Sequence, residues 1–149
     1  MKSHLRKFST YRLDASLKSI IEKSYGTAVT GVGVHECDYI KRKFSRKYNA
    51  TICASQKWVA DLARCYGILY DVFSKYCEGE KLISDAGFNF IVAALFYFIN
   101  PFDVIPDHMA DIGYYDDLYV LQICLGHLSY TDYVHIQMRF TERQNACSE

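Results

Sequence analysis

A chain of 149 residues, half of them apolar, is long enough to bury one sizeable core, and a single domain over 1–149 is the expectation. The formal net charge is zero, yet residues 1–64 hold thirteen Lys/Arg against five Asp/Glu and residues 65–149 hold four against twelve, so the halves stand near +8 and −8. Six scattered cysteines with no C-x-x-C pair and no Cys/His spacing exclude a zinc motif, and the basic start MKSHLRKFSTY lacks the apolar run of a secretory signal.

These features read the cysteines as reduced, mostly packing residues and favour a cytoplasmic location, with peripheral attachment at the inner membrane as the alternative. The charge asymmetry has two readings. The one placed first is attraction between the halves within one fold; the other is a basic surface that meets phosphate or lipid headgroups.

Leu13, Leu17, Ile20 and Ile21 recur at helical spacing, which predicts a short amphipathic helix stopped at Tyr25-Gly26. The glycines of GTAVTGVGV, 26–34, lack the Gly-Lys-Ser/Thr ending of a phosphate loop and the spacing of a dinucleotide site, so this stretch is read as a connection. Ile40, Phe44 and Tyr48 fall four apart with Lys41, Arg42, Lys43, Arg46 and Lys47 between them, which predicts a basic amphipathic helix. Its five cations are the candidate anion- or partner-binding residues; a solvated face is the plain account, and a lipid or nucleic-acid surface is the sharper one.

Ile52, Val59, Leu62, Tyr66, Leu69, Phe73 and Tyr76 predict one long helix that ends near Gly79, with Trp58, Tyr70 and Cys77 widening its buried face. Ser84 or Asp85 caps the next helix, whose run from Phe88 to Ile99 ends at Asn100-Pro101. That twelve-residue run spans roughly 18 Å, short of a hydrocarbon core of about 30 Å, so a buried central helix is expected. Leu118–Leu128 makes a second apolar helix, and residues 132–143, through Val134, Met138 and Phe140, make a last amphipathic one. No segment alternates like a strand. The expected fold is all-α: a single compact domain of five or six helices, with 86–99 and 117–128 forming a central antiparallel hairpin and the basic helices of 1–80 packed on it.

Between the two apolar helices lie Asn100, Pro101, Asp103, Pro106, Asp107, Gly113, Tyr114, Asp116 and Asp117, within NPFDVIPDHMADIGYYDD. With ALFYFI before it and LYVL after it, this segment resembles the hallmark of the YkvA-like family (domain of unknown function, family number 1232) over about residues 86–124. Asn100 replaces the usual Ser, and Ala110 stands where a second proline is common. The resemblance implies a helical hairpin domain, sometimes found beside membrane-spanning segments, with no established activity.

The acids of the segment have two accounts. In the structural one, Asp103 caps a short helix over 104–112 with Pro106 in its first turn, Gly113 ends it in a left-handed conformation, and Asp116 and Asp117 lie at the start of the next helix. In the other, Asp103, Asp107, Asp111, Asp116 and Asp117, with His108 and His127, converge on Mg²⁺, Mn²⁺ or Ca²⁺. The structural account is preferred, and no cofactor is expected. No nucleophile elbow or interpretable Cys/His spacing is present. The sequence therefore points to a non-enzymatic binding or adaptor protein, a class that includes inhibitor and immunity proteins, acting on a protein partner or at a membrane surface. The alternatives are a divalent-metal-dependent hydrolase using the 103–117 acids and a nucleic-acid-binding module using the 41–47 patch. Oligomeric state is not encoded in any of these features.

Overall fold

The computed structural model describes residues 13–100 and 114–148. Among the described residues six helices and no strands are present: α1 (Ala15–Thr30), α2 (Val34–Ile52), α3 (Lys57–Cys77), α4 (Asp85–Ile99), α5 (Tyr115–His127) and α6 (Tyr130–Ser148). The protein is all-α, as its periodicities require.

The ends of the helices follow local chemistry. Asp14 opens α1 by accepting a bond from the Leu17 N–H at 2.8 Å. The helix does not stop at Tyr25-Gly26; it runs through Gly26 to Thr30, and Gly31 is its cap. One glycine is too small a penalty, about 1 kcal/mol, to end a helix whose Ile21 and Tyr25 are already buried. The connection to α2 is accordingly short, and Gly33 caps α2. The predicted long helix also divides differently. Ile52 ends α2, residues 53–56 turn the chain, and α3 carries the stripe from Val59 onward. Ser55, which interrupts the apolar stripe between Ile52 and Val59, falls in that turn. At the other end of α3, Gly79 adopts φ 101° while the Glu80 N–H reaches back to the Lys75 carbonyl at 2.8 Å, a left-handed glycine stop.

Helix α4 is apolar all round because four other helices, α1, α2, α3 and α5, pack on it. Ile91 to Leu95, Tyr97, Phe98 and Ile99 are all buried. Its pairing with α5 is antiparallel: the Cys124 thiol donates to the Phe90 carbonyl near one end, and the Tyr97 hydroxyl donates to Asp116 near the other. Leu95, Phe98, Val120 and Leu121 are each 0 % exposed, in one core with Leu62, Leu69 and Phe73. The hairpin is thus central, but α4 is its hub and α5 sits to one side against α1. No described helix is long and apolar enough to cross a membrane.

Helix α6 starts at Tyr130 and buries Ile136 and Phe140, whereas Met138, assigned to its apolar face by the sequence pattern, is exposed. Cys77 likewise departs from expectation: it is exposed, while Cys65 and Cys124 are fully buried. Burial pushes both buried thiols up from 9.0 to about 12. Because these folded values lie above the unfolded one, the stability that the neutral thiols contribute is complete below pH 9 and is lost as pH rises from there towards 12. A melting temperature that is flat from pH 7 to about pH 8.5 and falls above pH 9 is the expected result. At pH 8 a thiol reagent should label Cys53 and Cys77 in the folded protein and reach Cys65 and Cys124 only on unfolding.

Candidate functional site

Two groups of sequence-predicted residues fall on described helices: the acids at the start of α5 and the cations of α2. Asp103, Asp107, His108 and Asp111, together with Pro101, Pro106 and Gly113, lie outside the described residues. The capping and metal-ligand roles assigned to them lie there too.

Asp116 and Asp117 occupy the first turn of α5, as the helix dipole favours, but they are not surface residues: both are 0 % exposed. Asp116 is held by hydrogen bonds on both oxygens, accepting from the Tyr97 hydroxyl at 3.1 Å and from the Asp117 N–H at 3.0 Å. One turn of α3 closes the site from the other side, where the Tyr66 hydroxyl donates to the Asp117 carbonyl at 2.6 Å. Burial, then the charges of Asp117, Cys124 and Asp116, push the Tyr66 phenol well above its ordinary value, so it remains a donor. Tyr66 and Tyr97 had been legible only as members of apolar stripes. A tyrosine inside such a stripe needs a partner for its hydroxyl, a requirement that calls for a polar group opposite without naming which one.

The chain enters α5 through Tyr114, the N-cap residue, at φ 78°, ψ −9°. Among the described residues it is the one non-glycine with positive φ, a conformation that costs a bulky residue on the order of 1 kcal/mol or more. The tyrosine ring offsets that cost by receiving the Lys47 ammonium 5.2 Å from its centroid. Lys47 also lies 5.4 Å from the Phe98 ring. Asn100, the other end of the motif that is described, is the C-cap of α4, its N–H donating to the Tyr97 carbonyl at 3.3 Å.

Lys47 therefore does not belong to the open face of α2. It is half-buried and turned towards the α4–α5 junction, whereas Lys41, Arg42, Lys43 and Arg46 are exposed. None of these four forms an ion pair with a described residue. Arg64, exposed on α3, pairs with Asp61 of the same half of the chain, and the described pair between α3 and α6 joins Asp71 to Arg143, both of the acidic half. Among the described residues, then, no ion pair joins these α2 cations to the acidic half.

His127 is at the far end of α5, about 16 Å of helix from Asp116, and stacks on Phe90 at 5.1 Å and on Tyr25 at 6.5 Å. It is exposed, stacks on those two rings, and lies away from Asp116 and Asp117. Among the described residues no three His, Cys, Asp or Glu side chains come together in a way that holds a metal ion.

No curated protein and no solved structure matches the chain. A family model described as "Protein of unknown function (DUF1232)" matches residues 90–123. That segment runs from the body of α4 into α5 and contains Tyr97, Asn100, Tyr114, Asp116 and Asp117. The match thus falls on the hairpin that holds the buried acid pair, in agreement with the resemblance of its motif.

Proposed function

We propose that the protein is a non-enzymatic binding or adaptor protein that engages an acidic protein surface through the outer face of α2. The observation that carries this reading is the set of four exposed cations, Lys41, Arg42, Lys43 and Arg46, with no ion pair among the described residues. Four like charges within two helical turns repel one another, and an anionic partner relieves that repulsion. The chemistry around them favours protein over the other anions. The aromatic residues of α2 face inward, Tyr39 against Phe96 and Phe44 against Tyr70, so no ring platform is offered to unpaired bases. The exposed neighbours Ser45, Asn49 and Ala50 are small or polar, and Val34, two turns before Lys41, is a single exposed apolar side chain on α2, too little for a wedge in a bilayer.

The buried acids support the same reading from the other side. Both oxygens of Asp116 are engaged by Tyr97 and by the Asp117 N–H, as a structural anchor requires, and a hydrolase would need to exchange those bonds for a cation. A rise in melting temperature with Mg²⁺ or Mn²⁺ that Asp116→Asn removes would place the metal-dependent reading first.

The test uses poly-L-glutamate as the acidic probe, with phosphatidylglycerol vesicles and a single-stranded oligonucleotide in parallel. The intact protein is expected to bind poly-L-glutamate at 50 mM salt and to lose most of that binding at 200 mM. Replacing Lys41, Arg42, Lys43 and Arg46 together by Gln abolishes it while the melting temperature stays within about 2 °C, because surface substitutions change stability little. Lys47→Gln does the reverse: binding is retained, and stability falls by roughly 1 kcal/mol as two cation–ring contacts are lost. Binding confined to vesicles or oligonucleotide, or unchanged in the quadruple variant, overturns the proposal.

A further inference from the structure

Cys37 and Cys77 are forty positions apart, and no sequence spacing relates them. The fold brings them together. Cys37 lies near the start of α2 and Cys77 is the last residue of α3, and the two helices pack against each other. Both thiols line one open cleft of about 500 Å³, with Lys41, Asp38, Tyr76 and Asp85 among its walls. Burial holds both thiols above their ordinary value, each acts on the other across the cleft, and the Lys41 ammonium draws both part of the way back. Cys77 is exposed and Cys37 half-buried, so a small reagent has access to the pair. The other described cysteines differ: Cys65 and Cys124 are sealed in the core, and Cys53 lies in the turn between α2 and α3, at the opposite end of both helices.

We propose that Cys37 and Cys77 are a reversible thiol–disulfide site, closed by exchange with a low-molecular-weight disulfide and reopened by a small thiol. Cys77, the more accessible, attacks one sulfur of the small disulfide as its thiolate. A mixed disulfide forms, and the first small thiolate leaves and takes up the proton that Cys77 gave to solvent. Cys37 then attacks the Cys77 sulfur, loses its proton in turn, and expels the second small thiolate. Two protein thiols are oxidised by two electrons, and one small disulfide is reduced to two thiols. The bridge ties the beginning of α2 to the end of α3, one turn before Lys41, and closes a loop of the whole intervening helical pair.

The bridge is tested on the intact folded protein with excess oxidised glutathione, followed by acid quench, alkylation and peptide mapping. The expected product has lost two hydrogens and yields the Cys37 and Cys77 peptides joined, and dithiothreitol restores the starting mass. In Cys37→Ser the reaction stops at a glutathione adduct on Cys77, because the resolving thiol is gone. The melting temperature of the wild-type protein rises by several degrees on oxidation and returns on reduction. A wild-type protein that accumulates stable glutathione adducts without the bridge, joins Cys77 to any other cysteine, or forms the bridge only in denaturant overturns the proposal.

Discussion

Phe98→Ala is expected to lower the unfolding free energy by roughly 3–5 kcal/mol, the cost of deleting a fully buried aromatic side chain from a core that cannot collapse around the gap. The ring is 0 % exposed on α4 and stacks on Tyr66 of α3 with centroids 4.2 Å apart and planes 11° apart. Phe44 of α2 meets it at 6.1 Å, and Lys47 covers it from the same helix. Two other helices therefore converge on one side chain of α4, and neither can move into the space alone. The truncation also frees the Tyr66 ring, whose hydroxyl is bonded to the Asp117 carbonyl, so the entrance to α5 loosens with it. Equilibrium denaturation checks the magnitude, with Phe96→Ala as the comparison: Phe96 is half-buried against Tyr39 and should cost less than half as much. A loss under 1 kcal/mol for Phe98→Ala would mean that α4 is not enclosed on this side.

The second large effect lies where α6 meets α4. Asp132 is 4 % exposed and accepts two bonds from Ser84, from its N–H at 3.0 Å and from its hydroxyl at 2.5 Å. The Ser84 hydroxyl oxygen in turn accepts the Gly87 N–H at 3.0 Å as the N-cap of α4. Gly87 is packed so closely beneath this arrangement that a Cβ would overlap the Asp132 carboxylate oxygen and lie 3.1 Å from its Cγ. Glycine to alanine inside a helix ordinarily gains up to about 1 kcal/mol; here Gly87→Ala is expected to lose roughly 2 kcal/mol, because the carboxylate is forced away from both of its donors. Asp132→Ala is expected to cost about 2–3 kcal/mol, since it strands the Ser84 N–H and removes the bond that orients the cap. The double variant should cost less than the sum, because without the carboxylate the added methyl has room. Strict additivity would show that the two positions do not meet.

Much of the architecture was already written in the pattern of apolar residues. The three-and-four spacing from Val59 to Phe73 marks α3, the uninterrupted run to Ile99 marks a helix surrounded by others, and the all-α class follows from these local periodicities. The Ser84 cap and the Gly79 stop were legible for the same reason, each being a bond within one turn of the chain. The motif from Asn100 to Asp117 was legible as a family resemblance, and its matched segment coincides with the α4–α5 hairpin.

What remained hidden in the sequence was every pairing between residues far apart in it. Asp132 gave no local sign that it would anchor Ser84, 48 positions earlier, and Tyr66 none that it would bond Asp117. Lys47 was indistinguishable from Lys43 by composition, yet it stands three positions after the buried Phe44 and is turned over two rings, while Lys43, one position before Phe44, stays in solvent. Cys37 and Cys77 became neighbours only because α2 and α3 fold back on each other. Helix periods report which face of a segment is buried, since they arise from bonds between residues three and four apart. Which residue of another segment meets that face depends on how several helices pack at once, and only the tertiary structure decides it.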